Sequence, residues 1–149
     1  MTKISAFLTT LFELLSSKKE FILLIIRLSV SAVFIQTGWG KLVHIKETTA
    51  FFEVLHIPFP FYNAVLASLT ECLGGICIGL GFATRLMSIP LTVIMAIAII
   101  TAQSGDIHSI ADFIRLQEWD YIMFFLFLLF NGPGRYSLDT FIRKIFPSA

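Results

Sequence analysis

The sequence predicts an all-α fold: an integral membrane four-helix transmembrane bundle with short amphipathic helices at both termini. Two features of composition and one of patterning carry this. Of 149 residues, 56% are hydrophobic and only 14% are charged, against about 25% charged in a soluble domain. The mean hydropathy is +0.85, and a chain this short has no soluble core large enough to hide so much apolar surface. The apolar residues also gather into four stretches of a length suited to crossing about 30 Å of hydrocarbon at about 1.5 Å per residue. The length allows one domain, 1–149. The net charge of +1 and the absence of a concentrated basic tract give no reason to expect a nucleic-acid partner.

The elements follow in order. Ile4, Phe7, Leu8, Leu11 and Leu15 recur at helical spacing before Lys18 and Lys19, as in a short helix lying on a membrane surface. The first span is expected at about 21–43. Its apolar run is interrupted by Arg27, and no small-residue cleavage site follows, so it is expected to stay in the mature protein. The second span is expected at about 61–82, started by Pro58 and Pro60, since proline suits a first helical turn. The third runs about 86–103, with Pro90 near its beginning. The fourth, about 118–131, is stopped by Gly132-Pro133-Gly134. The connection at 83–85 is very short, so spans two and three form a tight antiparallel hairpin. Leu138, Phe141, Ile142 and Ile145 share a face beside Arg143 and Lys144, with Ser137 as N-cap.

Four spans place Lys3, Lys18, Lys19, Arg85, Arg135, Arg143 and Lys144 on one side, and Lys41, Lys46 and Arg115 on the other. The positive-inside rule then puts both termini in the cytoplasm. Trp39 and Trp119 fall near the outer interface, as an aromatic belt requires.

Glu71 lies in the middle of the second span, where a charge costs about 2.5–3.5 kcal/mol on insertion scales. Arg27 interrupts the first span in the same way. Arg27, Ser31, Phe34, Gly38 and Lys41 line one helix face over about 21 Å; Glu71, Gly75 and Gly79 do so on the second span, and Ser88, Thr92 and Ala96 on the third. Polar and small residues on one face of a membrane helix mark the side turned to other helices. Two cations compete for Glu71. By residue counting, Arg27 lies about 9 Å from it in depth and Lys41 about 12 Å, which puts Arg27 slightly ahead. Side chains lean toward their own helix N-terminus, which brings Lys41 and Glu71 together and separates Arg27 from Glu71. The pair is either a structural ion pair fixing helix register or a polar site for a head group, a quinone or a proton.

Other residues carry less. Lys41, Glu118 and Asp120 suggest an outer polar cluster, read as an interfacial salt bridge. His44, His56 and His108, with Glu53, Asp106 and Asp112, are predicted on the outer side, but their spacing matches no ligand pattern, and no metal site is expected. Cys72 and Cys77 lie about 140° apart on one helix and cannot bridge each other. Motifs for nucleotide binding, hydrolysis, phosphoryl transfer and haem attachment are absent, and catalytic residues are unknown.

Arg27, Gly38-x-x-Lys41, Ile57-Pro58-x-Pro60, Glu71 with Gly74-Gly75, Gly81-x-x-Thr84-Arg85 and Gly132-Pro133-Gly134-x-x-Ser137-Leu138-Asp139 form an ordered pattern over about 22–140. It resembles the DoxX/DoxD family of small bacterial and archaeal membrane proteins. The resemblance implies a four-helix bundle in the cytoplasmic (inner) membrane and a link to redox physiology. Founding members are subunits of quinol oxidase and thiosulfate:quinone oxidoreductase assemblies. By carry-over, Arg27, Lys41, Glu71 and Arg85 are the functional polar residues. The expectation is an accessory membrane subunit of a quinone- or thiol-linked redox system, at most a subunit of an oxidoreductase complex, with quinone as the one cofactor to consider. Partners are the lipid bilayer, other membrane or redox proteins, or further copies of the chain. The alternatives are a non-catalytic scaffold or assembly factor, or a small transporter or lipid-binding protein.

Overall fold

In a computed structural model, the backbone of residues 2–103, 105, 107 and 109–145 and the side chains from Lys18 onward are described. All elements among these are helical: α1 (Thr2–Val43), α2 (Ile45–Val54), α3 (Pro60–Leu80), α4 (Thr84–Ala98), a π-helical turn (Ile99–Gln103), α5 (Ile110–Ile114), α6 (Gln117–Asn131) and α7 (Leu138–Ile145). Among the described residues, three helices are long and apolar enough to cross a membrane: Lys18–Val43, Pro60–Leu80 and Thr84–Gln103. The 15-residue α6 is the fourth helix of the bundle.

The helix ends at Val43, Pro60, Leu80, Thr84, Gln103, Gln117 and Asn131 lie within a few residues of the ends expected for the spans, and α7 falls where the apolar face at 138–145 placed it. Two features differ from expectation. The helix expected on the membrane surface at the N-terminus is continuous in backbone with the first span, as one helix of 42 residues; the side chains of Ile4, Phe7, Leu8, Leu11 and Leu15 lie outside the described residues. The connection between the first two spans is itself largely helical, as α2. Its charges at Lys46, Glu47 and Glu53 mask an apolar edge of Ile45, Phe52 and Leu55.

The bundle is built as membrane proteins require. Large apolar side chains such as Ile22, Leu66, Leu73, Ile100 and Phe130 are exposed on its flanks, whereas Arg27, Ser31, Ser68, Glu71, Thr84 and Ser88 are buried among the helices. With lipid outside as apolar as leucine, association rests on close packing and interhelical hydrogen bonds rather than on hydrophobic burial. The α1–α3 contact, the most extensive in the bundle, shows both. A Cβ at Gly38 would lie 2.8 Å from the Ser68 carbonyl oxygen and 2.9 Å from the Cys72 Cα, and one at Gly75 would lie 3.0 Å from the Ile35 backbone nitrogen. Ser31 Oγ donates to the Gly75 carbonyl at 2.6 Å. The glycine spacing seen in sequence is thus the α1–α3 seam.

Helices α4 and α6 form the second close pair, while α3 and α4 touch less despite the short turn joining them. The core between the pairs is Phe34, Ile78, Leu91, Met95, Ile99, Ile122, Phe125 and Leu128. Phe34 meets Tyr121 and Phe125 edge-on, with ring centroids 4.9 and 5.0 Å away.

The segment 132–139 locks the end of the bundle that carries α7. Gly132 and Gly134 take positive φ of 80° and 83°, a left-handed backbone that favours glycine, and turn the chain back across the end of α3. There Asp139 accepts hydrogen bonds from the Ala83 and Thr84 amides at 2.8 and 3.1 Å. These donors belong to the first turn of α4, which has no other side-chain cap. The Asp139 amide in turn donates to the Gly81 carbonyl at 2.9 Å. Ser137 caps α7 as expected, its Oγ accepting from the Thr140 amide at 3.3 Å.

Candidate functional site

A cavity of about 1210 Å³ occupies the α2 half of the bundle, above the roughly 300–1,000 Å³ of ordinary small-molecule sites. Residues of α3 and α4 line it, together with Phe34 of α1 and Tyr121 of α6. Thr48, Phe51 and Phe52 of α2 also line it. The lining is mainly apolar, and several lining residues, among them Leu66, Val93 and Ile97, are exposed. Pro90 of α4 and residues of the π-helical turn also border it; single π turns are frequent at functional sites.

Four charged residues line this cavity, Lys41, Glu47, Glu71 and Glu118, and two of them form an ion pair. Lys41 Nζ lies 2.5 Å from Glu71 Oε1. Glu71 is 1% exposed, while the Lys41 side chain is 37% exposed, so the carboxylate is the buried partner. Among the described residues nothing donates to its second oxygen, Oε2. Lys41 sits in the last turn of α1, where the helix dipole favours a cation. Hydroxyls nearby are engaged with their own helices: Thr37 Oγ1 donates to the Phe34 carbonyl at 3.2 Å and Thr70 Oγ1 to the Leu66 carbonyl at 2.8 Å.

Glu71 is therefore paired with Lys41, not with Arg27, which residue counting had put slightly ahead. The lean of the side chains outweighs depth. Lys41 on α1 and Glu71 on the antiparallel α3 reach toward each other, whereas Arg27 reaches the opposite way. The Arg27 guanidinium, itself 1% exposed, donates to the Pro133 carbonyl, to the Tyr136 carbonyl at 2.6 Å and to the Gly79 carbonyl at 3.3 Å. Gly79 is eight residues along α3 from Glu71, about 12 Å away. Arg85 lies at the same end, with Nη2 donating to the Phe130 carbonyl at 3.3 Å.

The four expected site residues thus divide into two places: Lys41 and Glu71 in the cavity, Arg27 and Arg85 in the lock at the α7 end. The Lys41–Glu118–Asp120 cluster is not an ion pair. Lys41 turns to Glu71, and Glu118 instead accepts from Gln103 Nε2 at 3.4 Å. Asp106 and His108, of the acidic and histidine group expected on the outer side, lie outside the described residues. Sequence reasoning did not single out Thr37, Tyr121 or the phenylalanines of α2, because apolar and hydroxyl side chains on a membrane helix look alike whether they face a cavity, lipid or another helix.

The comparisons with known proteins bear on this geometry. The family model for DoxX matches residues 22–104, a stretch that holds α2 to α4, the cavity pair and most of the described part of the first span. The inner membrane protein YphA of Escherichia coli is 32% identical over 127 residues, 79% of this chain and 88% of that protein. The inner membrane protein YqjF of the same organism is 26% identical over 121 residues, 81% of this chain and 92% of that protein. A protein of Bacillus subtilis bearing the name "Putative oxidoreductase CatD" is 28% identical over 123 residues, 81% of this chain and 87% of that protein. No solved structure matches at a comparable level. With more than half of its length under the family model, this chain belongs to the DoxX family of membrane proteins.

Proposed function

We propose that this protein is an accessory membrane subunit of a redox system, and that its cavity takes the head of a lipid-soluble carrier of the quinone class. One observation carries the reading: a large, mainly apolar cavity within the bundle contains a buried carboxylate with one oxygen paired to an ammonium and the other without a donor. Pockets of this kind, apolar with a few placed polar groups, are the usual form of a ligand site. An intramembrane ionisable residue is a functional hypothesis by default. Phe34, Val93 and Ile94 would flank a flat ring, and Lys41 and Glu71 would hold its oxygens. The carrier itself supplies electron and proton exchange; the chain supplies binding and orientation. The name of CatD points to redox chemistry for that relative, which agrees with the reading.

The exposed lining residues of α3 and α4 make a lateral entrance from the bilayer. With α6 as a fourth crossing and both termini cytoplasmic, the cavity lies in the outer half of the inner membrane. The excess of Arg and Lys near the α7 end supports this orientation, as do the names of YqjF and YphA as inner membrane proteins.

The test is extraction in mild detergent at native expression level, followed by mass spectrometry of bound lipids. Quinone should copurify with the wild-type chain and be lost in Lys41→Met protein that still elutes as a folded species. Retention of the same quinone by the variant, or none in the wild type, would count against the site.

A further inference from the structure

We infer that the Lys41–Glu71 pair selects a ligand head that donates a hydrogen bond, so that the cavity prefers the hydroxyl-bearing, reduced form of a quinone-type carrier to its carbonyl form. This rests on the reading of the cavity as a carrier site. The argument begins with the unequal state of the two carboxylate oxygens. Glu71 Oε1 is occupied by Lys41 Nζ at 2.5 Å, whereas Oε2 is buried and has no donor among the described residues. An ionised carboxylate only accepts hydrogen bonds, so only a donor can satisfy Oε2, and a buried charged acceptor left unsatisfied is destabilising. The Thr37 and Thr70 hydroxyls do not serve, since each donates to its own helix.

The carbonyl form of the carrier offers lone pairs alone. It could accept from Lys41 but would set an oxygen against Oε2, acceptor against acceptor, in a place of low dielectric. Once the Glu71 carboxyl turns its buried Oε2 toward the cavity, the hydroxyl form satisfies both partners: its O–H donates to Oε2, and its oxygen accepts from one of the ammonium protons that Glu71 does not use. A phosphate head is disfavoured by the same carboxylate, because two anions would meet away from water. The pair therefore acts as a discriminator between two ligands of nearly the same shape. A site built to bond a hydroxyl rejects the analogue lacking it through the group left unpaired.

The experiment is an anaerobic calorimetric titration of the purified protein, stripped of bound lipid, with a decyl-tailed benzoquinone and with its hydroquinone. The hydroquinone should bind about ten- to a hundredfold more tightly, the range expected for one hydrogen bond to a charged group. In Glu71→Gln, whose amide can donate to a carbonyl, the preference should vanish or invert. Equal affinities in the wild type, or tighter binding of the quinone, would overturn the inference while leaving the carrier site standing. Binding of neither form would overturn both. Tighter binding of the hydroquinone that survives Glu71→Gln would remove Glu71 as the discriminator. A thermal melt of each protein establishes that the variant is folded, and the wild-type comparison decides the matter even if it is not.

Discussion

Glu71 and Arg27 are both 1% exposed, yet the structure uses them differently. Arg27 donates from Nη1 and Nη2 to three backbone carbonyls, which disperses its charge over dipoles within the fold, although its Nε has no partner among the described residues. Glu71 has one donor, on a lysine that is itself 37% exposed, and keeps an oxygen free. Breaking a fully buried pair by removing one partner costs about 3–5 kcal/mol; the exposure of Lys41 reduces this to about 1–3 kcal/mol here. Lys41→Met should therefore lower the melting temperature, because Glu71 loses its only described donor. Lys41→Met combined with Glu71→Gln should recover most of that loss, since no uncompensated charge remains, yet should not restore quinone retention. Thermal unfolding of the four proteins in one detergent closes the cycle. A coupling energy near zero would mean that the ion pair has no bearing on the fold.

At the scale of elements, the α7-end lock makes a prediction that separates structure from function. Asp139→Ala removes the acceptor for two amides at the start of α4, and loss of a cap costs about 0.5–2 kcal/mol. The variant should melt at a lower temperature and bind the carrier as the wild type does, because position 139 is remote from the cavity; weakened binding in molecules that remain folded would show the lock and the site to be coupled. Gly38→Val should be more damaging, since a branched side chain must enter where α1 and α3 meet backbone to backbone, and its loss of folded yield in detergent is the readout. How far these elements can be read from sequence depends on the signal each leaves. The long helices are legible because hydropathy reports them directly, and the Gly75-x-x-x-Gly79 seam because only small residues permit that approach. Helix α2 is obscured by its charges. The roles of Arg27 and Asp139 are not legible, because their partners are backbone carbonyls and amides, which any residue supplies. The choice of Lys41 for Glu71 follows from side-chain lean, a signal present in sequence but outweighed there by a depth estimate that rests on uncertain helix ends.

The whole molecule is two helix pairs, α1 with α3 and α4 with α6, fastened at one end and parted at the other. The turn at 81–83, the Arg27 contacts and the Asp139 cap all lie at the α7 end, while the cavity, α2 and the π-helical turn lie at the other. Among the described residues, the site belongs to the half with fewer bonds between the pairs. Local opening should therefore cost least around the cavity, in line with the general rule that binding elements are drawn from the less stable parts of a fold. Hydrogen exchange measured by mass spectrometry gives the test. Amides of α2 and of 99–103 should exchange faster than those of 81–84 and 138–141. Addition of the decyl-tailed hydroquinone should slow the first group and leave the second unchanged, because a ligand bridging α3 and α4 ties together only the parted half. Uniform slowing along the whole chain would show instead that the bundle closes as a single unit, with the α7-end lock taking part. Slowing confined to α7 and 132–139 would move the binding site to the opposite end of the protein.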